Sequence, residues 1–146
     1  VMRRMASYPL FALCNIAHGF ARLRCGHRDL FDAIARHVAG EPRSRQLSAI
    51  DVATLVYAFA ELRHRAPQLL EACADRLKEI QKDVQGPNVA IILNSYARLS
   101  ECNPELFRSL TATVVQTRPE NFSAENVSLI MNALAKCQVG SRRTMQ

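Results

Sequence analysis

The chain has 146 residues, 49% of them hydrophobic and 22% charged, with a formal net charge of +6. That composition excludes a disordered chain, and no apolar run reaches the roughly 18 residues that a membrane span needs. An isoelectric point of about 9.4 makes a polyanion a natural partner.

The first predicted helix carries Leu13, Ile16, Ala17, Phe20 and Leu23, an apolar stripe at i, i+3, i+4, i+7 spacing. A short turn follows, with Gly26 expected to end the helix in the left-handed region. The second helix presents Leu30, Phe31, Ile34 and Val38, and GEPRSRQ (40–46) reads as a loop. The third helix opens on Ser48 and Asp51, a capping box with Leu47 as staple, and continues with Val52, Leu55, Val56, Phe59 and Leu62. Pro67 opens the fourth, where a first-turn proline costs no hydrogen bond. Its stripe is Leu69, Leu70, Cys73 and Leu77, and the pattern stays helical through RLKEIQKD until a break at Gly86-Pro87. The fifth helix holds Val89, Ile92, Leu93, Tyr96 and Leu99. Asn103 is a good N-cap for the sixth, which carries Leu106, Phe107, Leu110 and Val114 and breaks near Arg118-Pro119. Ser123 with Asn126, and Phe122 before them, start a seventh through Val127, Ile130, Met131, Leu134 and Cys137. Gly140 aligns with Gly26 and predicts a turn there.

These elements repeat. A shared alanine recurs at Ala21, Ala60, Ala97 and Ala135, at intervals of 39, 37 and 38 residues. Two further columns are small: Cys14, Ala53, Ala90 and Ser128, and Gly19, Ala58, Ser95 and Ala133. Small side chains on both flanks of an apolar stripe let a helix lie close to a neighbour on either side. The prediction is an all-α fold, an α-solenoid of stacked helical hairpins with about 38 residues per repeat, three full repeats and a partial fourth. The whole chain, 1–146, is read as one solenoid segment with repeats near 8–46, 47–83, 84–121 and 122–146, and as a piece of a longer chain. Leu129, Ile130, Met131 and Leu134 are then expected to lack part of their second-helix cover. No segment alternates with period two, so almost no β-sheet is expected.

The first helices also carry three columns that do not repeat. They are Asn15, Thr54, Ile91 and Leu129; His18, Tyr57, Asn94 and Asn132; and Arg22, Glu61, Arg98 and Lys136. His and Tyr rings can stack on bases, Asn can bond a base edge, and a basic residue one turn on can hold phosphate. Basic turns add Arg24, His27 and Arg28, and then Arg63, His64 and Arg65. A polar outer face is also what any amphipathic helix shows, and basic residues near a helix C-terminus complement its dipole. Both readings stand at this point.

The run LVYAFAELRHRAPQLLEACADRL resembles the repeats of the octotricopeptide and heptatricopeptide family, which includes RAP-domain and FAST-kinase-like organellar proteins. The resemblance rests on an aromatic-Ala-x-Leu helix end, a basic turn and a Pro-x-Leu-Phe/Leu helix start, and it covers all three complete repeats. It implies an RNA-binding protein of the mitochondrial matrix, ahead of a plastid, acting on organellar mRNA or rRNA. Mitochondrial ribosome membership and other proteins of a ribonucleoprotein assembly as partners follow from it as expectations. On it, the RNA-binding residues are Asn15, His18, Arg22, Arg24, Thr54, Tyr57, Arg63, Arg65, Asn94, Arg98, Asn132 and Lys136. No RAP domain is present in the sequence.

Of five cysteines, Cys14, Cys73 and Cys137 fall in core or small columns and Cys25 and Cys102 in turns. The odd count argues against a disulfide framework and for a reducing compartment. No zinc spacing, P-loop, dinucleotide fingerprint or nucleophile elbow occurs, so no metal, no cofactor, no catalytic residues and no enzyme activity are expected. The alternative function is a protein-interaction scaffold within a large organellar complex, favoured by Ile91 and Leu129 on the candidate face.

Overall fold

The structure, a computed structural model, describes residues 2–145, with side chains from 5 to 138. Among the described residues seven α-helices follow one another: α1 (Leu10–Arg22), α2 (Arg28–Ala39), α3 (Ala49–Glu61), α4 (Pro67–Glu79), α5 (Gly86–Arg98), α6 (Pro104–Gln116) and α7 (Ala124–Met145). Among the described residues there is no strand. A short 3-10 helix, Met2–Ser7, precedes α1 and packs on α2 through Met5.

The helices form two layers. α1, α3, α5 and α7 lie side by side in one, and α2, α4 and α6 form the other. The first layer is the more closely packed. The physical cause is the small columns: Cys14, Ala53 and Ala90 are buried between neighbouring helices, as are Ala21, Ala60 and Ala97. Between the layers the stripes interlock. Leu13, Val52 and Val89 are fully buried at equivalent positions, and Phe31, Leu70 and Phe107 are buried at equivalent positions of the second helices. Each such side chain contributes roughly 1.5–3 kcal/mol by leaving water. Where the aromatic column changes from Phe59 to Tyr96, the added hydroxyl donates to the Leu70 carbonyl at 2.5 Å, so that hydroxyl is not stranded. Burial pushes the Cys14 and Cys73 thiols up to about 12, and both act as small hydrophobes.

Helix starts follow the local chemistry. Ser48 and Asp51 form the reciprocal box, and Ser123 and Asn126 form the same pair of bonds at 3.0 and 3.1 Å. Asn103 caps α6 through Oδ1, and His27 at the equivalent position caps α2 through Nδ1.

Helix ends depart from expectation. Gly26 does not adopt a positive φ. The left-handed residues are Arg24 (φ 54°), Arg63 (φ 52°) and Ser100 (φ 59°), one per repeat at equivalent positions. Each closes a Schellman motif. Cys25, His64 and Glu101 donate N–H to the carbonyls of Phe20, Phe59 and Tyr96, all at 2.9 Å. The hydrogen-bond pair, not a glycine, fixes the turn.

Other expectations are corrected as well. α7 runs unbroken through Gly140, where a turn was predicted. α4 stops at Glu79 and a 3-10 turn, Gln81–Asp83, follows, while Gly86-Pro87 opens α5 instead of breaking the chain. Gly86 is there for space, since a Cβ would sit 2.9 Å from the Phe122 ring. Leu23, assigned to the apolar stripe, is 76% exposed because α1 has a neighbour on only one side within its layer, whereas the equivalent Leu99 on α5, flanked by α3 and α7, is buried. A further correction is that Cys102 and Cys137 form a disulfide with Cα atoms 5.4 Å apart, tying the α5–α6 turn to α7. On α7, Val127 and Met131 are exposed although their equivalents are buried, while Ile130 is covered by α5. Met131 thus lacks its cover as expected, and Ile130 does not.

Candidate nucleic-acid interface

Close packing of the first helices brings the middle of their non-repeating columns into one surface groove. Its volume is about 560 Å³, and its walls include His18 of α1, Thr54, Tyr57 and Glu61 of α3, Ile91, Asn94 and Arg98 of α5, and Leu129 of α7. Five of the twelve sequence-predicted residues therefore meet in one place: His18, Thr54, Tyr57, Asn94 and Arg98. Asn15, Arg22, Asn132 and Lys136 are exposed on the same helices but do not line it.

The geometry of the two rings is specific. His18 and Tyr57 approach with centroids 5.6 Å apart and planes at 46°, across the α1–α3 contact. An offset aromatic pair of this kind is mutually attractive and holds the phenol ring against free rotation. Tyr57 is left half-buried, with part of its surface toward the groove. Asn94, the equivalent residue on α5, stands beside it with its amide in no hydrogen bond among the described residues.

Charge is unevenly free. Arg98 Nη1 donates to Glu61 Oε1 at 2.7 Å, so that guanidinium is partly neutralised. Arg22, Arg24, Arg63 and Lys136 form no ion pair among the described residues. Arg24 and Arg63 occupy the left-handed turn positions at the ends of α1 and α3. Arg65 lies elsewhere, in a hollow between α2 and α4 with Asp32, Arg36 and Gln68. His64, part of the basic turn, is engaged structurally. Its Nε2 lies 2.8 Å from Asp32 Oδ1, and its ring packs on Phe31 and Phe59.

Sequence reasoning missed Asn88 and Ile50, which also line the groove. Asn88 is equivalent to Asp51 and Asn126, both spent on capping. The N-cap of α5 is Gln85, which makes no side-chain cap bond, so Asn88 is released toward the groove. That absent serine was the available signal. Ile50, 67% exposed, was passed over because it precedes the buried stripe.

The face thus offers aromatic surface, amides and an ion pair, and the turns that follow α1 and α3 carry Arg24 and Arg63, which form no ion pair among the described residues. Residues 1–144 match the family model of the RNA-editing substrate-binding complex 6 protein, RESC6. The chain belongs to the RESC6 family. No curated protein matches it significantly. RESC6 membership shares with the octotricopeptide resemblance a helical architecture and an RNA-related setting, but it names a different family. Among the described residues no group of three or more His, Cys, Asp or Glu could hold a metal ion, and no helix is long and apolar enough to cross a membrane.

Proposed function

We propose that this chain is an RNA-contacting helical-repeat subunit of a mitochondrial RNA-editing substrate-binding complex. It takes single-stranded RNA along the groove of its first helices. The observation that carries this is the convergence of His18, Tyr57 and Asn94 from three successive helices on one groove, with the unpaired Arg24 and Arg63 at the adjoining turns. Unstacked bases are recognised by aromatic stacking and amide hydrogen bonds, and phosphates by free guanidinium groups. The RNA on this reading is a substrate of editing, with ribosomal RNA and ribosome membership as the competing assignment. The chain acts as a binding module. Its groove presents rings, amides and an ion pair, which suit recognition better than bond making.

A second reading is favoured by Ile50, Ile91 and Leu129, which give the same groove apolar surface. On it the groove grips a protein of the complex.

Affinity for an unstructured oligonucleotide, measured against salt, separates the two. RNA binding predicts an affinity that falls linearly on logarithmic axes as salt rises. No binding at low salt would remove the RNA reading and leave the scaffold.

A further inference from the structure

The groove contains a charge in a place that helix electrostatics disfavour. Glu61 is the last residue of α3, where the helix C-terminus is already the negative end of the dipole. The equivalent residues are Arg22, Arg98 and Lys136, all of the favoured sign. Glu61 is held there by Arg98 of α5 through a 2.7 Å hydrogen bond to Oε1, and Oε2 has no partner among the described residues. The two side chains are 26% and 36% exposed, and both open on the groove. Tyr57 and Asn94 lie one helical turn before them, on the same two helices.

We propose that the Glu61–Arg98 pair is a base-reading site selective for guanine in single-stranded RNA. The proposal rests on the RNA reading above and deepens it. A carboxylate repels phosphate, so the backbone lies toward the unpaired Arg22, Arg24 and Arg63, and the bases point inward. Of the four bases, guanine alone sets two adjacent donors, N1–H and N2–H2, beside an acceptor, O6. The donors meet the Glu61 carboxylate. O6 accepts from Arg98, whose five N–H donors allow it to keep its bond to Glu61. Adenine, cytosine and uracil each offer one donor between or beside acceptors, and leave carboxylate lone pairs stripped of water without replacement. Tyr57 supplies the stacking surface one turn away.

The test uses the whole chain and oligouridines that carry a single guanosine, inosine, adenosine or cytidine. The guanosine oligonucleotide is expected to bind on the order of ten-fold more tightly than the adenosine and cytidine ones. Inosine, which lacks the N2 amine, is expected to fall between. Glu61→Gln keeps the shape, removes the charge and should erase the preference while oligouridine itself still binds. Circular dichroism confirms that the variant is folded. Equal affinity for all four oligonucleotides, or a guanosine preference that survives in Glu61→Gln, overturns the proposal and leaves RNA binding intact. If no oligonucleotide binds at all, the RNA reading falls and this inference falls with it.

Discussion

Tyr57 reaches across from α3 to lie against the ring of His18 on α1, centroids 5.6 Å apart, so that two repeats share one aromatic platform. Stacking a base on such a surface is worth roughly 1–3 kcal/mol. Tyr57→Ala should weaken RNA binding by about that much, and His18→Ala by less, since Tyr57 stands nearer the middle of the platform and His18 at its α1 end. In a double-mutant cycle the two losses should not add, because residues in contact couple. Fluorescence anisotropy with a labelled oligonucleotide reads all four states. Strict additivity would mean that the rings contact RNA independently or not at all.

The turn arginines make the opposite kind of prediction. Arg24 and Arg63 hold φ near 54° and 52°. A left-handed conformation costs a residue with a side chain roughly 1–2 kcal/mol, against about 0.5–1 kcal/mol lost to the flexibility of glycine. Arg24→Gly and Arg63→Gly should each raise stability by up to about 1 kcal/mol in urea denaturation. Each should also lower RNA affinity and reduce the salt slope by about 0.7, the single-strand value per phosphate contact. Ser100→Gly, with φ 59°, is the control and should stabilise without touching RNA affinity. If the arginine variants lose stability, those side chains serve the fold and not a ligand.

His37 supplies a pH dependence. Its Nε2 is sealed from solvent and has no hydrogen-bond partner among the described residues, and burial followed by the nearby Arg43 guanidinium holds it below its ordinary 6.5. The folded protein therefore binds this proton more weakly than the unfolded chain. Stability is fully present above 6.5 and is lost as pH falls from there through the lower folded value. Denaturation midpoints taken across that window should decline in the wild type and flatten in His37→Gln. An identical slope in both would assign the effect to other groups.

The Cys102–Cys137 disulfide closes a 35-residue separation and pins α7. Constraining a loop of that size in the unfolded chain stabilises by about 3–4 kcal/mol in the loop-entropy account. Reductant should lower the melting temperature of the wild type and leave Cys102→Ser, already lowered, unchanged. Equal sensitivity to reductant in both proteins would place the effect elsewhere.

The layered fold was legible because burial in a stacked array is periodic. Val52 and Val89 announce each other across a fixed interval, and so do Pro67 and Pro104. Relationships between different positions of different repeats were not. Glu61 pairs with Arg98, and His64 with Asp32, by side-chain reach, which no column records. The disulfide was missed for the same reason: Cys137 looked like a core residue, and only the approach of α7 to the α5–α6 turn supplies its partner. The left-handed arginines were hidden because composition points to glycine wherever φ is positive. The groove was half visible. Its polar column was written in the sequence, but that Asn88 joins it depends on a cap that α5 does not make.

The alanine columns that draw the first helices together also set a pitch. Neighbouring helices stand about 8–10 Å apart, whereas stacked nucleotides rise about 3.4 Å. A strand that meets Tyr57 with one base and Asn94 with the very next base cannot keep those two bases stacked. On the RNA reading proposed above, such a strand is spread along the array, and recruitment and unstacking then become a single event. A hairpin would be opened only as far as its own pairing energy permits, and absorbance at 260 nm should rise as the protein takes hold.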